Sequence, residues 1–171
     1  MNKKLLSILA VSSIAGAASA QLTGVQFTAG YGWTGGIKDS GGVSRIMSGP
    51  ELTATLPLEH LPMVTIGLEG DVLFGGGFGN SSIKGDVYRG FLTAGITLPG
   101  TQVGAWWGVG WATAQGSSGD FPSINGYVTQ VGLTIPVGIH TPGLAPSLEV
   151  AGDLGSKSGL SGFSVSVALK F

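Results

Sequence analysis

The stretch Phe163-Ser-Val-Ser-Val-Ala-Leu-Lys-Phe171 decides the fold. Large apolar side chains stand at every second position, Phe163, Val165, Val167, Leu169 and Phe171, with Ser164, Ser166, Ala168 and Lys170 between them. A period of two belongs to an extended strand, whose successive side chains point to opposite faces, so the stretch predicts a strand with one apolar and one polar face. Placing Phe171 on the apolar face puts Lys170 on the polar one. The assignment passes to every paired strand, because a slip of one residue would exchange the faces.

The same alternation recurs upstream. Eight segments carry it, at residues 22–33, 49–58, 63–74, 86–98, 103–112, 126–137, 146–154 and 162–171. Most are about ten residues, the length a tilted strand needs to cross a bilayer. The 32 glycines are interleaved with Val, Ile, Leu, Phe and Trp at the same period, which argues against a low-complexity chain. Connections alternate between long (34–48, 75–85, 113–125, 155–161) and short (59–62, 99–102, 138–145), the pattern of an up-and-down antiparallel sheet with tight turns at one end. Gly, Ser and Asp in the long connections read as exposed loops.

Sorting the strands by face separates their chemistry. In the first strand Val25, Phe27, Ala29, Tyr31 and Trp33 oppose Gln26, Thr28, Gly30 and Gly32; in the third, Val64, Ile66, Leu68, Val72 and Phe74 oppose Thr65, Gly67, Glu69 and Asp71. One register places seven of the charges within the segments, Glu51, Glu69, Asp71, Arg89, Glu149, Asp153 and Lys170, together on the polar face. The aromatics Tyr31, Trp33, Phe74, Tyr88, Trp111, Tyr127 and Phe163 fall on the apolar face at the long-loop end, a one-sided girdle of the kind favoured at a membrane interface.

At the other end of the chain, Lys3 and Lys4 precede the apolar run Leu5–Ile14 and the small residues Ala18-Ser19-Ala20, the layout of a secretory signal peptide over residues 1–20. Cleavage before Gln21 leaves residues 21–171 as one domain, with six basic against nine acidic residues, which makes nucleic acid an improbable partner. Charged residues are 10% of the chain and mean hydropathy is +0.40, so something other than water faces part of the surface. No stretch beyond residue 20 approaches the ~18–20 apolar residues of a membrane helix. Cysteine is absent, which removes disulfides and thiolate chemistry.

With the alternating strand that ends on Phe171, the chain resembles the small OmpA/OmpX-like eight-stranded outer-membrane barrels. The resemblance implies a closed all-β transmembrane barrel in the cell outer membrane. It also implies recognition of Phe163, Val165, Val167, Leu169 and Phe171 by the barrel-insertion machinery during assembly. Eight strands leave an interior that side chains just fill, so an open channel is not the expectation. Counting from the connections brings Glu51, Asp71 and Arg89 together near the outer mouth, as part of a polar and charged plug. Five carboxylates on the polar face against two cations would leave room for a metal ion, a proton or a cationic solute; the expectation here is no metal and no cofactor.

The residues point away from catalysis. His60 and His140 fall in short turns, and no nucleophile elbow, zinc-protease helix or phosphate loop is present. Trp106 and Trp107 are adjacent and must face opposite ways, Trp106 inward by register. The function that follows is a non-enzymatic barrel with a structural or envelope-interaction role. Its partners are outer-membrane lipid and, through the loops, an envelope protein or surface polysaccharide. A narrow or gated pore, and a secreted lipocalin-like barrel with an apolar ligand inside, are the alternatives.

Overall fold

The computed structural model describes residues 25–38, 41–61, 63–77, 84–116, 123–137 and 145–170. Eight strands follow one another: β1 (Gln26–Lys38), β2 (Ser44–His60), β3 (Thr65–Gly77), β4 (Lys84–Thr97), β5 (Gly104–Gly116), β6 (Ile124–Pro136), β7 (Ala145–Gly155) and β8 (Gly162–Lys170). One turn of 3-10 helix, Ser158–Leu160, stands between β7 and β8. Each strand pairs antiparallel with the next, and β1 pairs with β8 from Thr28↔Lys170 to Gly35↔Phe163, so the sheet is a closed barrel with no free edge. The signal-peptide reading of residues 1–20, and His140 and Phe171, lie outside the described residues.

The strands run further toward the long loops than their composition suggests. Residues 34–38 and 44–48, read as loop, continue the β1–β2 ladder to Lys38↔Ser44, and β5 extends to Gly116 while β6 begins at Ile124. Gly, Ser and Thr look like loop residues, yet a ladder is made by backbone groups and needs no bulky side chain. Gly49-Pro50 reads as a strand start and is strand interior. The β2–β3 ladder skips from Ser48↔Gly76 to Glu51↔Leu73 around Pro50, which has no N–H to donate. A bulge between Gly35 and Ile37 is made possible by Gly36 at φ +89°, and a second interrupts β2 between Pro57 and Glu59. The strands also hold Asp86 and, by their greater length, Lys38, Arg45, Glu59 and Lys84, so they carry more charges than the seven read onto the polar face.

The short turns between β2 and β3 and between β4 and β5 are tight. Leu61 N–H bonds to the Val64 carbonyl at 2.8 Å, and Leu98 N–H to that of Val103 at 2.9 Å. Between β4 and β5 the Thr101 hydroxyl donates to the Leu98 carbonyl at 2.9 Å, and Gly100 takes φ +74°.

The faces divide by chemistry. Leu68, Leu92, Trp107, Val109, Val131, Leu133, Val150 and Val167 are exposed on the outside, while Glu51, Asp71, Arg89, Gln130, Asp153 and Ser166 are buried inside. A soluble barrel with an apolar interior and polar exterior would have the opposite arrangement, so the lipocalin-like reading is not the one this sheet adopts.

Candidate functional site

The lumen is organised about Arg89. Antiparallel register sets Arg89 of β4 directly beside Asp71 of β3. Its Nε donates to both Asp71 oxygens, at 2.9 Å to Oδ1 and 2.8 Å to Oδ2. Nη2 donates to Glu51 Oε1 at 3.2 Å, and Nη1 lies 3.5 Å from Asp153 Oδ2 of β7, across the lumen. The Glu51 carboxylate has room because Gly32 of β1 lies against it; a Cβ on Gly32 would come within 2.5 Å of Oε2. All four side chains are nearly solvent-free, the Arg89 side chain only 4% exposed. A guanidinium so buried is tolerable only with such partners, since an unpaired charge in this environment costs several kcal/mol.

The cluster is not at the outer mouth, where the sequence reading put it. Above it, toward the long loops, Met47, Leu73, Val87, Ala112, Ala114, Val128 and Leu160 pack into an apolar layer. The lumen is therefore not filled by polar and charged groups alone. The reason is one of phase: Leu73 and Val87 stand two residues from Asp71 and Arg89 and so must share their inward face. Leu160 comes from the 155–161 connection, read as an exposed loop, which instead folds back into the mouth.

Below the cluster the lumen widens into a chamber of about 720 Å³ toward the short turns. Glu69 and Glu149 line it with Thr28, Thr53, Thr93 and Trp106. His60 stands at its rim, its Nδ1 3.1 Å from Thr65 Oγ1. Lys170 pairs through its backbone with Thr28 and Ala145. Among the described residues no group of three or more His, Asp or Glu is arranged to hold a metal ion.

Trp106 owes its place to glycine on the facing strand. Gly132 pairs with Trp106, and a Cβ there would come 2.5 Å from Cζ2 and 2.6 Å from Cε2 of the indole. Gly132→Val should therefore displace the ring and cost about 1–3 kcal/mol of stability. The check is denaturant unfolding followed by tryptophan fluorescence, and an unchanged midpoint would mean that the ring is not held there.

Outside the barrel, Phe74, Tyr88, Trp111, Tyr127 and Phe163 are exposed at the long-loop side, with Tyr31 and Trp33 half-buried. Trp111 and Tyr127 pair across β5 and β6 with ring centroids 4.8 Å apart, and Tyr31 and Trp33 meet at 5.0 Å. On β8, Phe163 and Val167 are exposed and Val165 and Leu169 half-buried, with buried Ser166 and Ala168 on the opposite face.

Sequence reading put Asp153 on the same lumen face as Arg89 but did not give their contact, because the two lie on strands that do not pair and only barrel closure brings them together. Leu160 carried no periodic signal at all. Thr34 and Met47 could have been found by extending the first two strands in phase.

No protein-family model matches the sequence, and no curated protein matches it. Among solved structures, the crystal structure of Neisserial surface protein A (NspA) aligns over 86% of this chain and 95% of its own, with 13% identity and a TM-score of 0.52. Ail, the attachment invasion locus protein of Yersinia pestis, solved in complex with the heparin analogue sucrose octasulfate, aligns over 86% of this chain and 97% of its own, at 18% identity and a TM-score of 0.42. At these identities the likeness is one of fold. By fold, then, the chain is a closed eight-stranded antiparallel barrel like those of the small outer-membrane barrel proteins, NspA among them.

Proposed function

We propose that the chain is a non-enzymatic barrel of a bacterial outer membrane, closed to solute flow, with a structural or envelope-interaction role exercised through its loops. The observation that carries this reading is the inversion of the two faces: large apolar side chains lie exposed around the outside while an arginine and three carboxylates are buried within. An apolar belt of this extent is unsuited to water and matches the hydrocarbon of a bilayer.

The aromatics at the long-loop side then sit at the membrane interface, where amphipathic rings are favoured. The short turns face the periplasm and the long loops the outside. Outer-membrane lipid is the principal partner; the outward apolar positions of β8 serve the insertion machinery during assembly, and the loops contact an envelope protein or a surface polysaccharide.

The apolar layer stacked on the Arg89 cluster in the barrel's outer half supports a closed lumen. Planar-bilayer recording of the refolded protein tests it. A quiet baseline is expected, and steady single-channel steps would favour the narrow-pore reading instead.

A further inference from the structure

The segment 156–161 between β7 and β8 is unlike an ordinary surface loop. It turns inward and touches β1, β6 and β7, and its Leu160 is 8% exposed within the apolar layer. Among the described residues Ser156 N–H bonds to the Tyr127 carbonyl at 2.8 Å and Leu160 N–H to that of Lys157 at 2.9 Å, while the Ser161 hydroxyl accepts from Gly155 N–H at 2.9 Å and donates to the Gly155 carbonyl at 3.3 Å.

Glycines on three strands form its seat. A Cβ on Gly126 of β6 would come 2.5 Å from Ser156 Oγ and 3.2 Å from Leu160 Cδ1, and one on Gly155 of β7 would come 2.5 Å from Leu160 Cβ. At Gly36 of β1 a Cβ would collide with the Ser161 carbonyl oxygen. Three independent strands thus give up side chains where this one segment docks.

Behind Leu160 lies a cavity of about 20 Å³, bounded by Thr34, Val87, Arg89, Ala112 and Asp153. Thr34 Oγ1, Arg89 Nη1 and Asp153 Oδ1 are buried beside it without a protein hydrogen-bond partner among the described residues. Two opposed forces therefore act on the segment. Burial of Leu160 among apolar neighbours holds it in, and the under-satisfied polar atoms behind it favour admission of water. The wall behind the segment is mostly apolar, and the polar atoms of Thr34, Arg89 and Asp153 are set into it where only this segment covers them.

We propose that residues 156–161 form a plug that opens locally, with the barrel intact, and admits water and small solutes from the long-loop end as far as Arg89. The inference rests on the closed-lumen reading only in taking the Arg89 cluster as the inner barrier. Opening of the plug alone therefore gives access without conduction.

The chain has no cysteine, so a single thiol can report on access. Ala112→Cys places one beside the cavity, and a small charged methanethiosulfonate reagent is added to the folded protein in lipid vesicles. Leu160→Ala, or Gly126→Val to fill the seat, should raise the labelling rate on the order of a hundredfold, while the unheated protein keeps its compact gel migration. Equal rates with and without the second substitution would overturn the proposal, whether both were fast or both slow. So would acceleration that appeared only where the compact form was lost, since that is unfolding of the barrel. Bilayer recording of the same variants separates the two readings: single-channel steps in the parent would refute closure, and equal labelling would refute the plug.

Discussion

Arg89→Met should destabilise the barrel more than any other single substitution proposed here, by about 3–5 kcal/mol. Methionine keeps most of the volume and removes the cation that Glu51, Asp71 and Asp153 surround. Three buried carboxylates would then face one another with neither a counter-charge nor the guanidinium donors that now reach Asp71 and Glu51. Urea unfolding in lipid vesicles, followed by tryptophan fluorescence, gives the size of the loss. Glu51→Gln, Asp71→Asn and Asp153→Asn added to Arg89→Met should restore most of it, because the penalty belongs to the uncompensated charges and not to the missing pair. A near-neutral Arg89→Met would mean that the carboxylates find other partners.

Leu92→Arg should cost about 2–4 kcal/mol in a bilayer, whereas Leu58→Arg should cost roughly 0–1. Both leucines point outward, 48% and 55% exposed, so in water the two changes would be alike and nearly neutral. They differ in depth. Leu92 lies midway between Tyr88 of the aromatic band and Ile96 near the short turn, and Leu58 lies two residues from the end of β2. An arginine at Leu58 can extend its charge to the interface, and one at Leu92 cannot. Paired unfolding measurements in vesicles check the gradient, and equal costs at the two depths would argue against lipid around the barrel.

The barrel was legible in the sequence because its constraint is binary. Once Phe163, Val165, Val167 and Leu169 share a face, the period of two sorts every paired strand, and the Asp71–Arg89 neighbourhood follows from counting across one connection. Strand ends were less legible. Gly35, Thr34 and Ser48 carry no hydrophobic signal, and the ladder that holds them is made of backbone hydrogen bonds. The outer half of the lumen was least legible. Leu73 and Val87 break the rule that inward positions are polar, and Leu160 belongs to no strand. Asp153 reaches Arg89 only across the closed lumen, a contact that pairwise register does not give.

Outer-membrane residence is the claim on which the rest depends, and it is tested most directly by fractionating cells that express the full chain and running the product with and without heating. The protein is expected in the outer-membrane fraction, extracted only with detergent, and migrating faster before boiling than after, as a closed barrel that resists the detergent would. Release in soluble form without detergent would contradict it.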